Sequence, residues 1–430
     1  MEKMSDWKIL EKLQPMLTGD ELIEKMKVSP SYEEEIRDAS TAEKLMNLNN
    51  IYSFYLPSEM SVEIYTKLYL AMIRSLQKKE SRLAMEQRNL NGYLLHEKQE
   101  NENFGGIIGG ADCFSFLGAS GIGKSCAINR AVKVMNGEQI IELDRPYCKL
   151  IPVIDVQCPF DCSPKTLLLT VAKKIDVALD TNYCEALIKS RAPVNLMILS
   201  VSQMLMNHVA VLIIDEVQNV VFHKAGQQLI SLLTELINMS GISISLVGTP
   251  EVEPFFEKAD YLARRTIGLR FERCAYDKYF FSFCRELWKY QYVNNKCELD
   301  DGMIHYLYEH SNGTLSHVVY LFHAAQELTI LDSREVIDIE ALEKAYQRMR
   351  LLHIHIQPEM EMKPAKRKRE KSISNDGTRV EDKIAVKKNA IVKDQIVPWT
   401  FIKLLNESKK KQRPLLESLL TRISITEIEV

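Results

Sequence analysis

The chain has 430 residues, 46% apolar, 8% aromatic and 26% charged, a globular profile with room for two or three domains. That balance excludes collagen-like, mucin-like and wholly disordered chains, and no apolar run approaches the ~18 residues a membrane helix needs. The net charge of −3 hides an asymmetry: Lys363 to Arg413 carries 16 Lys and Arg against 6 Asp and Glu, a balance of +10, so the other residues sum to −13.

Such a tail meets nucleic acid or an acidic partner surface, or is simply solvated. The nine cysteines are odd in number and lack framework spacing, so they read as reduced thiols. The segment MEKMSDWKILEKLQPML has no basic stretch followed by an apolar core, so no signal peptide is expected and a cytoplasmic protein is.

In chain order, residues 1–58 are acidic and mixed, with turn breaks at SPSYEEE and YLPSEMS. Residues 59–275 open with a helical lead-in, SVEIYTKLYLAMIRSL, followed by the charged stretch KKESRLAMEQR. From residue 104 onward short apolar runs alternate with amphipathic helices, the pattern of an α/β domain with a parallel sheet. The spacing of Leu229, Leu232, Leu233, Leu236 and Ile237 predicts a helix over 227–239, closed by Gly241. The run Ile242–Val247 alternates with serines, which predicts a strand covered on one face more than the other. Residues 276–355 read as mostly helical, with Asp338 as an N-cap. Residues 356–430 form the basic tail. Its first part is too polar to build a core, and apolar spacing returns only at IVPWTFIKLL and PLLESLLTRI, two candidate docking segments.

The strongest motif is Gly118-Ala119-Ser120-Gly121-Ile122-Gly123-Lys124-Ser125, a complete G-x-x-x-x-G-K-[ST] pattern. Its context is right: CFSFL reads as a strand before it, and Ile128, Ala131, Val132 and Met135 share a helix face after it. Glycines let successive N–H groups turn around phosphates at a helix N-terminus. Lys124 would neutralise the β- and γ-phosphates, and Ser125 would ligate Mg²⁺. About 90 residues later, Val209–Ile214 reads as a buried strand ending in Asp215 and Glu216. Asp215 would hold Mg²⁺ through water and Glu216 would polarise the attacking water; alone, the pair reads equally as a helix N-cap. The guanine-specific N-K-x-D pattern is approached only by Asn295-Lys296-Cys297-Glu298, far from these strands, which favours ATP.

After the third strand come Gly248-Thr249-Pro250 and, further on, Leu262-Ala263-Arg264-Arg265. Thr249 fits a residue orienting the lytic water and equally a turn threonine. Arg264 and Arg265 fit an arginine finger reaching a neighbour's γ-phosphate.

The order GASGIGKS, LIIDEVQN, LVGTPE and LARR resembles the AAA+ ATPases of transposition, the TnsC regulators above all, with TniB and MuB proteins as wider relatives. The lead-in SFYLPSEMSVEIYTKLYLAMI and the basic tail agree, and the resemblance spans roughly residues 50–350. It implies an AAA+ P-loop NTPase fold: a parallel sheet sandwiched by helices, a small helical lid and a basic, partly disordered C-terminal tail. It also implies a bacterial protein that oligomerises as a ring or filament on duplex DNA with ATP and Mg²⁺. Such a protein contacts transposase subunits and a target-selector protein, with residues 1–58 as a partner-binding region and hydrolysis as a timer. An AAA+ helicase loader or remodelling ATPase, and a nucleotide-gated scaffold, are the alternatives.

One departure concerns the lid, where such proteins often carry an arginine that senses the γ-phosphate. The corresponding stretch here is Asn312-Gly313-Thr314-Leu315-Ser316-His317. For DNA, the candidates are Lys165, Thr166, Lys173 and Lys174, the last two better suited to the wet face of a helix, and the cluster Lys366-Arg367-Lys368-Arg369, which fits a transposase-docking tail equally well. Cys158 and Cys162 lack a second ligand pair, and His353 and His355 close a helix, so no metal site built on Cys or His is expected.

Overall fold

The computed structural model describes residues 12–80, 113–137, 139–144, 147–258 and 266–348. Arg264, Arg265, His353, His355 and the whole basic tail, with its Lys366–Arg369 cluster and docking segments, lie outside the described residues.

Among the described residues, three α-helices precede the sheet: α1 (Gly19–Met26), α2 (Thr41–Leu48) and α3 (Glu59–Glu80). Strand β1 (Cys113–Gly118) leads into α4 (Lys124–Val134), then β2 (Ile141–Asp144) and β3 (Tyr147–Gln157). Helices α5 (Pro164–Leu179), α6 (Tyr183–Ser190) and α7 (Val194–His208) return the chain to β4 (Val209–Asp215). The short α8 (Asn219–Phe222) and α9 (Gly226–Ser240) come before β5 (Ser243–Gly248), and α10 (Glu253–Lys258) before β6 (Thr266–Phe271). Helices α11 (Lys278–Leu287), α12 (Asp301–Ser311), α13 (Leu315–Leu331) and α14 (Ile339–Arg348) complete the described chain.

The sheet runs β2-β3-β4-β5-β1-β6. All its neighbours are parallel except β2 against β3, an antiparallel edge that the sequence pattern did not announce. Parallel neighbours need long crossovers, which the helices supply, and those helices then cover both faces. On β4 the alternation is clear: Leu212 and Ile214 join one core and Val211 and Ile213 the other. The first core packs β3, β4 and β5 against α5, α7 and α9, with Leu229, Leu232, Leu233, Leu236 and Ile237 all buried as their spacing predicts. Gly241 ends α9 at φ 64°, where glycine carries no Cβ penalty. The second core packs α1, α3 and α4 beneath β1, β4 and β5.

The serine strand departs from expectation, because every residue of β5 is buried on both faces. Its serines lie under α3, where Ser243 Oγ donates to the Ala71 carbonyl at 3.3 Å. Small side chains let that helix approach the strand closely, so the alternation marks a tight helix contact rather than solvent.

A third core joins α11 to α14 around Phe280, Trp288, Leu307, Phe322 and Leu342. Each of α11, α12 and α14 starts on an aspartate cap: Asp277 accepts from Phe280 N, Asp300 from Met303 N and Asp338 from Ala341 N, at 3.1, 2.7 and 2.7 Å. Leu48, Ile51 and Phe54 from the N-terminal region insert into this same core, whereas Leu22 and Met26 insert into the second. The Asn295–Glu298 string is a fastener: Trp288 Nε1 donates to the Cys297 carbonyl at 2.8 Å, and Lys296 pairs with Glu34 at 3.1 Å.

Ser245 Oγ is buried without a hydrogen-bond partner. An unpaired buried hydroxyl costs about 1–3 kcal/mol of desolvation, so Ser245→Ala should leave the thermal midpoint unchanged or raise it. Ser243→Ala, which orphans no comparable group but loses a bond to α3, should lower stability by about 1 kcal/mol and the midpoint with it. Differential scanning fluorimetry of the two variants checks the contrast.

Candidate nucleotide site

The loop between β1 and α4 turns because two glycines take left-handed backbone angles, Gly121 at φ 79° and Gly123 at φ 96°. Gly123 is the N-cap of α4, so the first N–H groups of that helix face the loop's concavity. Ile122 is buried and its side chain lies against Gly118, where an added Cβ would stand 2.6 Å from Ile122 Cδ1. Ala119 is half-buried and Ser120 exposed. Lys124 is buried, and its Nζ donates to the Gly118 and Ala119 carbonyls at 2.6 and 2.8 Å. Burial pushes its ammonium below the ordinary lysine range, and the carboxylates of Asp215, Glu216 and Glu251 oppose that shift.

Across the sheet, Ser125 Oγ donates to Asp215 Oδ2 at 2.8 Å. Asp215 Oδ1 accepts from the Glu216 N–H, also at 2.8 Å. A hydroxyl and a carboxylate at this distance are the hard oxygen donors that Mg²⁺ takes. Glu216 is exposed, adopts a left-handed φ of 61°, and accepts a hydrogen bond from Gln218 Nε2. Strand β5 runs between β4 and β1, so Thr249 at its end stands between the acidic pair and the phosphate loop. Thr249 caps the 3-10 turn Pro250–Val252 through its carbonyl, which accepts from Val252 N at 3.2 Å, and its hydroxyl makes no cap bond.

The lid stretch lands on the phosphate loop. Asn312 and Gly313 both take left-handed angles, α13 begins at Leu315, and Ser316 N donates to the Gly121 carbonyl at 3.4 Å. Ser316 and Thr314, neither of which carries a guanidinium, are the residues of this stretch that lie against Gly121. Beside it opens a cavity of about 400 Å³. Tyr52 and Tyr55 come to it from the N-terminal region, Ile122 from the phosphate loop, and Tyr279, Phe283 and Tyr320 from the lid helices. Sequence reading missed this pocket because its walls lie more than 200 residues apart; the one local signal was the aromatic run YSFYL at 52–56.

Lys165 and Thr166 are exposed on the first turn of α5, where Ser163 Oγ accepts from Thr166 N at 3.3 Å. Lys173 and Lys174 are exposed two turns further along the same helix. Two aromatics that sequence reading passed over are among the most exposed apolar residues: Phe160 (82%), after β3, and Phe222 (77%), after β4. Phe160 meets the ring of His223 edge-on at 6.3 Å. Cys158 and Cys162 are buried, and no group of three or more His, Cys, Asp or Glu side chains with metal-binding geometry occurs among the described residues. No described helix is long and apolar enough to cross a membrane.

Residues 108–256 match the family described as AAA domain. This segment is an AAA domain. Strands β1 to β5, the loop at the end of β1 and the acidic pair at the end of β4 lie within it, and β6 follows it. Among curated proteins no sequence matches the chain. Solved structures resemble it in part. The Orc1 protein of Aeropyrum pernix, solved in complex with DNA, is 14% identical over 62% of this chain at a TM-score of 0.39, and the chain spans 65% of that protein's length. The Cdc6p of Pyrobaculum aerophilum is 11% identical over 62% of this chain and 68% of its own, at a TM-score of 0.38. A Walker-type ATPase of Pyrococcus abyssi is 16% identical over 61% of this chain and 76% of its own, at a TM-score of 0.33.

Gly121 tests how closely the AAA domain and the helical core are fitted. A Cβ there would stand 2.6 Å from Ser316 Oγ and 2.8 Å from Thr314 Cγ2, on a backbone angle that side chains avoid. Gly121→Ala should lower stability by about 1–2 kcal/mol. It should also weaken binding of a fluorescent ATP analogue, followed by anisotropy.

Proposed function

We propose that the chain is an ATP-hydrolysing regulator of DNA transposition of the TnsC type, assembling as a homo-oligomer on duplex DNA. The observation that carries the ATPase part is the Ser125–Asp215 hydrogen bond, with Glu216 as the next residue beyond β4. In this reading, the N–H groups of Gly118–Ser125 surround the phosphates and Lys124 leaves the loop carbonyls to neutralise the β- and γ-oxygens. Ser125 and Asp215 hold Mg²⁺, which offsets phosphate charge. Thr249 orients the lytic water. Glu216 takes a proton from that water as its oxygen bonds the γ-phosphorus and the bond to the β-bridging oxygen breaks. The aromatic cavity beside Ile122 takes the adenine, since a base of that size fits an apolar pocket of about 400 Å³.

The transposition part rests on the order of motifs, GASGIGKS, LIIDEVQN, LVGTPE and LARR, together with the basic tail. Arg264 or Arg265 of one subunit completes the γ-phosphate site of the next, so assembly and turnover are linked. Lys165, Thr166, Lys173 and Lys174 follow the DNA phosphates without reading sequence. Phe160 and His223, exposed on the loops beside that helix, add apolar contact. The tail recruits transposase subunits, and residues 1–58 with the lid meet a target-selector protein.

Electron microscopy and anisotropy on duplex DNA, with ATP, a slowly hydrolysed analogue or ADP, test this directly. Rings or filaments should form with the triphosphates only, with a log–log salt slope of about −0.9 per phosphate neutralised. Binding indifferent to nucleotide would favour the scaffold alternative, and a requirement for a replicative helicase would mark a loader. Lys124→Ala should abolish nucleotide-dependent assembly, and Glu216→Gln should cut turnover at least 100-fold while trapping oligomers on DNA. Replacing Lys165 and Lys173 by Ala together should weaken DNA binding equally across sequences and flatten the salt slope by about 2.

A further inference from the structure

The backbone of Glu216 is fixed more firmly than a turn of this kind requires. Its N–H donates to Asp215 Oδ1 at 2.8 Å, its carbonyl accepts from Asn219 N at 3.1 Å, and the next residue, Val217, donates to the Val247 carbonyl of β5 at 3.0 Å. Together these hold a non-glycine residue at φ 61°, a conformation that persists only when its surroundings over-determine it. Main-chain fixation leaves the glutamate side chain free to swing about its own bonds. One described group restrains it: Gln218, whose Nε2 donates to Glu216 Oε2.

Gln218 is itself wedged. A Cβ added to Gly248, the residue before Thr249, would stand 2.8 Å from Gln218 Oε1 and 3.4 Å from the Gln218 backbone N, so the amide oxygen occupies the space that the bare backbone leaves at the end of β5. Its Oε1 is buried and has no hydrogen-bond partner. A buried amide with an unsatisfied carbonyl is a poor choice for stability alone, because an apolar side chain of the same length would fill the space without that cost. The half of the amide that is used is the donor, and it is used on Glu216.

We propose that Gln218 is a positioning residue that aims the Glu216 carboxylate at the phosphate loop and ties it to the end of β5, next to Thr249. One carboxylate oxygen is taken by the amide, which leaves the other for the lytic water. Any shift of β5 against β4 then moves the base and the water-orienting threonine together. Misplacing a catalytic group by about 1 Å can cost 100-fold in rate. The proposal rests on the reading of Glu216 as general base, and it adds a residue that touches neither nucleotide nor water.

The test uses steady-state ATP hydrolysis, thermal unfolding and the full chain. Gln218→Met keeps the length and removes both amide groups; Gln218→Glu keeps the shape and removes the donor. Both should lower kcat at least tenfold with KM for ATP within twofold of the parent. Gln218→Met should unfold at or above the parent temperature. The double variant Gln218→Met, Glu216→Gln should turn over no more slowly than Glu216→Gln alone, because a positioned group that is gone needs no positioning. Parental kcat in Gln218→Met, a loss of kcat that comes with a fall in the unfolding temperature, or additive losses in the double variant would each overturn it. Failure of the underlying reading has a separate signature, parental turnover in Glu216→Gln.

Discussion

The hydroxyl–carboxylate contact between Ser125 and Asp215 joins the first turn of α4, which follows β1, to the end of β4, a strand that is not β1's neighbour. Strand β5 lies between β1 and β4, so the contact forms only if three parallel strands end at the same height. The register brings this about: Leu117 pairs with Gly248 and Ile214 with Leu246, which brings the ends of all three strands to one edge. Parallel strands in that arrangement require crossovers on both faces. The burial of β4 and β5 on both sides, the two helix layers and the apolar run VAVLII all follow from holding that one edge level.

The same edge fixes where charge can stand. The field of three carboxylates opposes the effect of burial on one ammonium, and the loop carbonyls hold that ammonium by two short hydrogen bonds. The helix N-terminus at Gly123 and the hydroxyl of Ser125 complete a concavity lined with donors, walled on one side by acids. Such a site discriminates by charge state as well as by shape: a polyphosphate with a bound dication matches it, whereas a lone anion meets Asp215 and Glu216.

Much of this was legible because it is local. The phosphate loop, the helix over 227–239 and the Asp338 cap each depend on residues within a turn or two of one another, and Asp277 and Asp300 repeat the same capping signal before other apolar runs. The acidic pair was legible through its strand. What stayed hidden depends on long-range packing. The serines of β5 suggested a half-wet strand, yet they mark where α3 presses on the sheet, and nothing within six residues records the arrival of a helix from 170 residues earlier. The antiparallel β2 is four residues long, too short for any periodicity. The aromatic cavity is assembled from three chain regions, and the role of Gln218 becomes visible only once Gly248 is seen to lie against it.

The N-terminal region is stitched into two cores at once, with Leu22 and Met26 in the sheet's lower layer and Leu48, Ile51 and Phe54 among the terminal helices. Tyr52, inside the second anchor, and Tyr55, directly after it, wall the cavity. This sets the unit of inheritance. A recombination event that carried off residues 108–256 alone would take the phosphate loop and the acidic pair but leave behind the aromatic walls of the cavity. It would also strip the first anchor, Leu22 and Met26, of its apolar partners in β1, α4 and β4. Chimeras cut near residue 12 and beyond residue 348 keep the pieces that need one another, and cuts between them sever a shared hydrophobic seam.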